Sequence, residues 1–325
     1  MPRQARLDIP GALHHIMVRG INKAKIFGNE QDKTKFLDRL GEIVKTGQCS
    51  VYAWVLMNNH VHILFKSGRE GISGVMRKLL TWYAQYYNRR HRRSGHLFEN
   101  RYKSILCEED TYLLALVRYI HLNPIRARIV KTVEDLDEYP WSGHRTIIGK
   151  AKQDWMDTEY VLAQFGENRK QAVLEYRNFM TEGAGQGHIK ELTGGGLIRS
   201  QGGWSQVLAM KRRGQKEEFD ERILGGGDFV NNILKEAEER ELRQLKAIRS
   251  GKNIQNIIEE ECRKVGISPI ELQSGSRRRK VCSARAMIGL RSREELGLSA
   301  AEMARHLGVN TSGITRAIER AERNA

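Results

Sequence analysis

The 325-residue sequence has few cysteines, few prolines and no long apolar run. Its four cysteines, Cys49, Cys107, Cys262 and Cys282, include no CxxC pair, which excludes a zinc ribbon and gives no basis for a disulfide framework. No apolar stretch approaches the roughly 20 residues that a membrane helix needs, and the N-terminal residues lack the apolar core of a signal peptide. We therefore expect a cytoplasmic protein with reduced thiols and no membrane partner.

Acidic residues are also under-represented, because 55 Lys and Arg face 39 Asp and Glu, for a net charge of +16. Residues 1–150 carry a net +11, residues 151–274 a net −1 and residues 275–325 a net +6. A basic balance of this size indicates a polyanionic partner, although a ribosome-associated protein would look similar. Two basic ends around a neutral middle predict two separate regions that contact nucleic acid.

The first 150 residues alternate segments with strand and helix periodicity. Runs with strand character at 14–19, 51–56, 61–65 and 102–106 alternate with helical spacing at 32–45, 72–90 and 111–122. This order predicts an α+β domain over residues 1–150, with a small antiparallel sheet and helices on one face.

The rest of the chain divides into two parts. Residues 151–270 read as a helical and linker region without assignable chemistry: a glycine-rich run at 183–203 predicts a loop, and 229–248 a long charged helix. The glycine-rich run lacks the GK[ST] ending of a phosphate-binding loop. Residues 271–325 form an all-α extension, in which 299–307 and 311–321 predict a helix–turn–helix joined at Gly308 and Val309.

The candidate chemistry begins with the sequence His60-Val61-His62. In a strand, residues two apart point to the same face, so the two imidazoles lie side by side and are able to chelate one metal ion. An isolated pair of this kind is also typical of two polar strand residues without a ligand. The pair therefore needs support from elsewhere in the chain.

A second motif, Tyr119-Ile-His-Leu-Asn-Pro124, supplies that support. On a helix, Tyr119 and Asn123 are four residues apart and share a face, and Pro124 ends the helix because its ring cannot continue it. A neutral phenol is a poor nucleophile, and it becomes useful when a metal polarises the phosphate that it attacks. Without the histidines, Tyr119 would read as a half-buried core residue.

Three runs together resemble a known family. Residues 53–65 (AWVLMNNHVHILF), 95–104 (GHLFENRYKS) and 117–130 (VRYIHLNPIRARIV) resemble the single-tyrosine HUH transposases, and most of all the REP-associated tyrosine transposase group. The opening run LDIPGALHHIMVRG fits the first strand of that family. The resemblance covers roughly residues 1–150 and implies a ferredoxin-like core that cuts single-stranded DNA next to hairpin repeats through a 5′-phosphotyrosine.

The resemblance also implies roles for individual residues. His60 and His62 match the metal-binding histidines, Tyr119 matches the nucleophile, and Asn123 matches the position of an amide-type third ligand. A site of imidazole and oxygen ligands with an open position suits Mg²⁺ or Mn²⁺. The expected partner is single-stranded DNA that carries REP-like hairpins.

Basic side chains surround these motifs, and several neutralised phosphates would make binding fall steeply with salt. We expect DNA contacts in the N-terminal domain from Arg3, Arg6, Arg101, Lys103, Arg126 and Arg128. The tail, residues 274–322, resembles the DNA-binding domain of bacterial replication initiators, where a basic run leads into a helix–turn–helix. That likeness implies contacts to duplex or stem DNA from Arg277, Arg278, Arg279, Thr311, Ser312, Thr315 and Arg316.

Two other functions remain open from the residues alone. One is a sequence-specific DNA-binding regulator without catalytic activity, and the other is a metal-dependent nuclease that processes RNA, since basic charge does not distinguish RNA from DNA. The sequence is equally compatible with a monomer and a homodimer. A protein–DNA adduct that depends on Tyr119 would separate the first function from these alternatives.

Overall fold

The structure is a computed structural model that describes residues 7–47, 49–68, 71–185, 220, 222–249 and 251–324. The chain divides into two compact units, Met1–Asn232 and Ile233–Ala325. Each unit has its own apolar core.

The described part of the first unit contains a five-stranded sheet in the order β2-β3-β1-β4-β5. The strands are β1 (Leu13–Arg19), β2 (Ser50–Leu56), β3 (His60–Lys66), β4 (Lys103–Cys107) and β5 (Ile223–Leu224). The first four pair antiparallel, and the short β5 runs parallel to β4. With α1 (Glu30–Thr46) between β1 and β2, and α2 (Gly71–Arg90) between β3 and β4, this is the ferredoxin-like arrangement that the resemblance implied.

The first two helices cover one face of the sheet. Helix α1 begins at a capping box, in which Asn29 accepts from the amide of Asp32 and Asp32 accepts from that of Asn29. Trp54 of β2 points to this face and contacts Trp155, whose ring lies against Gly41 of α1. Helix α2 packs alongside α1. The prediction of helices on one face holds for this pair.

Further helices follow β4 and complete the described first unit. They are α3 (Glu109–His121), α4 (Asn123–Arg126), α5 (Val133–Glu138), α6 (His144–Ile147), α7 (Thr158–Ala163) and α8 (Arg169–Ala184). Helix α3 packs on β2 and β3 from the face opposite to Trp54, so the sheet is covered on both faces. Helix α8 in turn packs on α3 and α5. The segment 151–185 is therefore part of the first unit, and it contributes buried side chains such as Val161, Tyr176 and Met180 to the apolar core of that unit.

Helix α9 (Gly227–Arg249) contains the predicted helix 229–248, and the boundary between the two units falls within it. The glycine-rich run 183–203, predicted as a loop, begins within α8, because Gly183 and Ala184 are the last residues of that helix and Gly185 caps it. The rest of the run, residues 186–203, lies outside the described residues. Within the described ranges, no helix is long and apolar enough to cross a membrane.

The second unit is helical in its described residues. After α9 come α10 (Ile254–Val265), α11 (Pro269–Gln273), α12 (Arg279–Leu296), α13 (Ala300–Leu307) and α14 (Thr311–Asn324). Its core combines Ile257 and Ile258 of α10 with Leu307 and Ile314 from the last two helices. Because α10 supplies part of this core, the packed unit begins earlier in the chain than residue 271.

Candidate active site

The two histidines of β3 lie side by side, as the strand alternation predicted. Their ring centroids are 5.2 Å apart. The side chain of His62 is buried beneath the covering helix, whereas His60 is half-buried at the start of the strand. One imidazole therefore lies inside the fold and the other lies at its edge.

A third histidine, His15 of β1, completes the cluster and was not singled out by the sequence. Its Nε2 lies 2.9 Å from Nδ1 of His62, and both side chains are buried. Strand pairing places His15 opposite Leu64 and Met17 opposite His62, so the two histidines occupy the same face of the sheet. The consecutive pair His14-His15 was the available signal, because alternation sends one of the two to each face.

Tyr119 reaches this cluster from α3. Its ring centroid is 6.0 Å from that of His62 and 5.8 Å from that of His15. Burial raises the pKa of the Tyr119 phenol, and the positive charge of Arg126 acts in the opposite direction. A phenol carried by a helix and a pair of imidazoles carried by a strand thus meet in one place. We call His15, His60, His62 and Tyr119 the sheet-side cluster.

Arg126 lies directly on Tyr119, although the sequence marked it only as a DNA contact. Its guanidinium carbon is 4.9 Å from the centre of the phenol ring, and one guanidinium nitrogen donates to the Tyr119 carbonyl oxygen at 2.8 Å. Its Nε is buried and has no hydrogen-bond partner among the described residues. Arg126 therefore holds a positive charge, with one unused donor, against the candidate nucleophile.

Asn123 lies at the junction of α3 and α4 and is the first residue of the shorter helix, with Pro124 as its second. Its amide nitrogen donates to the carbonyl oxygens of Tyr119 at 2.8 Å and Ile120 at 3.2 Å. These bonds satisfy carbonyl groups that the end of a helix leaves without partners. The side-chain oxygen is the atom of Asn123 that could bind a cation.

The donor chemistry of the two strand histidines fits a divalent metal. Nδ1 of His60 lies 2.7 Å from Oδ1 of Asn59, and Nδ1 of His62 is engaged by His15. Metal-binding histidines commonly use one ring nitrogen for such a partner and the other for the metal. Burial, with a smaller effect of the Arg19 charge, lowers the pKa of His60 to about 4, which keeps the imidazole in the neutral form that a metal requires.

No group of three or more His, Cys, Asp or Glu side chains in the described residues is arranged to hold a metal. Any metal bound by His60 and His62 would therefore take its remaining ligands from an amide such as Asn123, from water or from a phosphate. An ion of this kind is held loosely and keeps positions open for substrate.

The other predicted DNA contacts of the first unit are distributed along the chain. Lys103 of β4 pairs with Met17, which pairs with His62 on its other side, so Lys103 shares the face of the sheet-side cluster. Arg101 precedes that strand and is exposed, as is Arg128 after α4. Arg3 and Arg6 lie outside the described residues.

The predicted contacts of the second unit lie at two helix starts. The exposed residues Arg277, Arg278 and Arg279 lead into α12, and Arg278 is paired with Glu271 at 2.6 Å. Thr311 and Ser312 are exposed in the first turn of α14, Thr315 is half-buried, and Arg316 is exposed. Gly308 ends α13 in the left-handed conformation, and Oδ1 of Asn310 accepts from the amide of Gly313 at 2.7 Å. The predicted pair of helices is present with a tight turn between them.

Comparison with known proteins supports the resemblance of the N-terminal domain. Residues 10–123 match the family described as IS200-like transposases. No curated protein matches the chain. A solved structure, of the REP-associated tyrosine transposase bound to a REP hairpin, is similar at 18% identity, over 49% of this chain and 93% of the other, with a TM-score of 0.40. The matched segment contains His15, His60, His62, Tyr119 and Asn123.

Proposed function

From the match of residues 10–123 to the IS200-like transposase family, we propose that the chain is a metal-dependent single-strand DNA endonuclease and transposase whose nucleophile is Tyr119. The observation that carries this proposal is the convergence of the Tyr119 ring on His62 and His15, at centroid distances of 6.0 and 5.8 Å. His60 and His62 would hold Mg²⁺ or Mn²⁺, with Asn123 as a candidate third ligand.

The reaction would exchange one phosphoester for another. The Tyr119 phenol gives up its proton to solvent and its oxygen attacks the scissile phosphorus. The bond from phosphorus to the 3′ oxygen breaks, and that oxygen takes up a proton from solvent and leaves as a 3′-hydroxyl. The DNA segment downstream of the cut stays attached to Tyr119 through its 5′-phosphate, as a phosphotyrosine, which a 3′-hydroxyl can later attack to rejoin DNA. A bound divalent metal would supply polarisation of the phosphate and stabilisation of the leaving oxygen.

Arg126 would assist this step. Its positive charge favours the phenolate form of Tyr119 against the effect of burial, and the same charge would attract the scissile phosphate. Lys103, on the same sheet face as His62, would contact the DNA backbone. Both roles place positive charge where the DNA must approach the sheet-side cluster.

The second unit would bind duplex or hairpin-stem DNA. This proposal is supported by the tight turn that joins α13 to α14 at Gly308. Thr311, Ser312 and Arg316 are exposed in the first turns of α14. DNA-binding helix–turn–helix domains place the corresponding part of their second helix in the major groove. Arg277 and Arg279 would contact phosphates. In this proposal the second unit would bind the stem of a hairpin, and the first unit would cut the adjacent single strand.

The test uses the full chain with Mn²⁺ and a library of labelled single-stranded oligonucleotides, each with a fixed hairpin and randomised flanks. We expect a denaturation-resistant protein–DNA adduct that is lost in Tyr119→Phe. Tyr112→Phe, a substitution on the same helix, serves as the control and should keep the adduct. Mapping the attached residue by mass spectrometry identifies the nucleophile directly.

The alternatives give different results in the same assay. Retarded DNA complexes without any adduct would indicate a binding protein without nuclease activity. Preferential cutting of an RNA version of the library would indicate an RNA-processing enzyme. An adduct that persists in Tyr119→Phe would overturn the assignment of the nucleophile.

A further inference from the structure

Helix α3 carries a second chemically distinctive side chain, His121, which points away from the sheet-side cluster. Two residues along a helix correspond to about 200°, so Tyr119 and His121 lie on nearly opposite sides of α3. Tyr119 faces the histidines of the sheet, whereas His121 faces Tyr176 of α8. The position of α3 is therefore fixed from both sides.

A buried chain of hydrogen bonds connects His121 to α5 and α6. The Tyr176 hydroxyl lies 2.8 Å from Nδ1 of His121 and 2.9 Å from Nδ1 of His144, and Nε2 of His144 lies 2.8 Å from Oδ1 of Asp137. Arg177 donates to the other oxygen of Asp137 at 2.6 Å. The side chains of His121, His144 and Tyr176 are fully buried. We call Asp137, His144, Tyr176 and His121 the brace cluster.

The hydrogen bonds of the brace cluster have one consistent direction. The positive charge of Arg177 favours Asp137 as a carboxylate, so Nε2–H of His144 donates to it. Nδ1 of neutral His144 then lacks a proton and accepts from the Tyr176 hydroxyl, whose oxygen accepts from Nδ1–H of His121. From His121 to Asp137 each donor meets one acceptor, while the buried Nε2 of His121 has no partner among the described residues. A connected buried network of this kind favours a single arrangement of its helices.

A second contact lies about one turn further along α8. The Arg118 guanidinium carbon is 4.1 Å from the centre of the Phe179 ring. Gly183, a further turn along, lies so close that a β-carbon there would overlap the Arg118 side chain. Helix α8 thus contacts the last turn of α3 through Tyr176, Phe179 and Gly183, on successive turns of one side.

We propose that α8 is a positioning element for the nucleophile: through the Tyr176 hydroxyl it holds the last turn of α3 so that Tyr119 stays in register with His62. This inference rests on the proposed function of Tyr119. It assigns a role within residues 151–270, for which the sequence offered no chemistry. Tyr176 itself contacts no reacting group and would act only through α3.

The experiment compares Tyr176→Phe with Tyr83→Phe in the full chain. Tyr83 is also fully buried, and its hydroxyl donates to the Ile26 carbonyl at 2.7 Å, away from α3. Tyr176→Phe loses the two hydrogen bonds of its hydroxyl and Tyr83→Phe loses one, so exchange in residues 117–126 is compared with exchange in the β-sheet of the same variant, which corrects for the difference in global stability. Phe179→Leu is a milder second variant, because Phe179 is only half-buried.

Three quantities are measured for each variant. They are the exchange rates of the amides in residues 117–126 by hydrogen-exchange mass spectrometry, the rate of adduct formation at saturating hairpin oligonucleotide with Mn²⁺, and the Kd for that oligonucleotide. For Tyr176→Phe we expect exchange in 117–126 to rise about tenfold and the adduct rate to fall about tenfold, with an unchanged Kd. Phe179→Leu should show about threefold changes of the same sign.

Equal amide exchange in 117–126 and equal adduct rates in Tyr176→Phe and Tyr83→Phe would overturn the inference. If Tyr176→Phe fails to fold, wild-type exchange and a wild-type adduct rate in Phe179→Leu would overturn it instead. Failure of the proposed function looks different, because the wild-type chain would then form no adduct at all. In that case the exchange rates alone decide whether α8 positions the last turn of α3.

Discussion

Two clusters of histidine and tyrosine flank the same helix, and they differ in how their hydrogen bonds are completed. In the sheet-side cluster, His60 is half-buried and one nitrogen each of His60 and His62 is engaged by a neighbouring side chain. In the brace cluster, the three rings are fully buried and the hydrogen bonds pass in sequence from His121 to Asp137. The first arrangement suits a ligand, and the second suits a fixed geometry.

This difference shows that residue type alone does not identify a site. Both clusters combine imidazoles with a phenol, and Tyr119 and Tyr176 are both buried. What separates them is access: the sheet-side cluster includes the half-buried His60 and lies on the sheet face of exposed Lys103, whereas the rings of the brace cluster are fully buried. A reactive site needs such access for a substrate, whereas a network that only fixes the packing of helices does not.

The largest effect should come from His62→Gln, because His62 is the candidate histidine ligand whose ring lies against that of Tyr119, at a centroid distance of 6.0 Å. We expect the rate of adduct formation at fixed Mn²⁺ to fall about a thousandfold, since both the affinity for the metal and its position change. The measurement is a single-turnover time course over a range of Mn²⁺ concentrations, with EDTA as the metal-free reference. A rate in His62→Gln that matches the wild type and still responds to EDTA would place the metal elsewhere.

A smaller effect is expected at His15, which contacts His62 without being a predicted ligand. Replacing a side chain that orients a metal-binding histidine typically costs about 10–100-fold in metal affinity, so His15→Leu should shift the Mn²⁺ dependence of adduct formation by that factor. His14→Leu is the matched control, because His14 is equally buried but bonds to Ser104 on the other face of β4. Equal Mn²⁺ dependence in the two variants would argue that His15 only packs against the cluster.

The two histidines of the brace cluster should remain neutral across the pH range in which exposed histidines titrate. Burial lowers the pKa of His121 well below its ordinary value, and burial also lowers that of His144 despite the hydrogen bond to Asp137. The folded chain therefore binds fewer protons than the unfolded chain below about pH 6.5, so the free energy of unfolding is highest above that pH and declines as the pH falls. Urea titrations at pH 7.5, 6.5 and 5.5 measure the decline.

Because burial also lowers the pKa of His14 and of His60 to about 4, the histidines must be followed individually. Nitrogen-15 labelling of histidine distinguishes the two ring nitrogens by NMR. We expect His121 to carry its proton on Nδ1 and His144 on Nε2, both unchanged down to pH 5.5. A protonated His144 at pH 7 would reverse the bond to Tyr176 and contradict the assigned direction of the network.

The sheet-side cluster was largely predictable from the sequence, whereas the brace cluster was not. His60 and His62 are two residues apart in one strand, and Tyr119 and Asn123 are four apart at a helix end, so local periodicity indicates which of these side chains share a face. By contrast, His121 and Tyr176 are 55 positions apart, and only the packing of α8 on α3 brings them together. The role of His15 was partly predictable. Strand alternation places His14 and His15 on opposite faces of the sheet, but it does not show which of the two histidines lies on the face that α3 covers.

The same distinction applies to the extent of each unit. The four strands and the three longest helices of residues 1–150 lie within a few positions of the predicted ones, since each has a clear apolar period, whereas the short helices α4, α5 and α6 were not predicted. The attachment of residues 151–185 to that domain depends on long-range contacts such as those of Tyr176 and Met180 with the first core. Helix α10 has apolar residues at helical spacing, Ile254, Ile257, Ile258 and Cys262, but this local period does not tell which core they join.

The smallest predicted effect concerns Gly183, at the end of the contact between α8 and α3. A β-carbon in Gly183→Ala would overlap the aliphatic part of Arg118, and the long arginine side chain can move aside at little cost. Its guanidinium would then leave the Phe179 ring, a contact that contributes about 0.5–1 kcal/mol at a partly exposed site. Helix propensity favours alanine by a comparable amount, so the free energy of unfolding should change little, while the adduct rate falls two- to threefold. The control is Gly185→Ala, because a β-carbon at Gly185 meets no atom within 4 Å. If both variants keep the wild-type adduct rate, the contact of Arg118 with Phe179 does not help to position Tyr119. The Tyr176 hydroxyl would then be the only contact of α8 that does so.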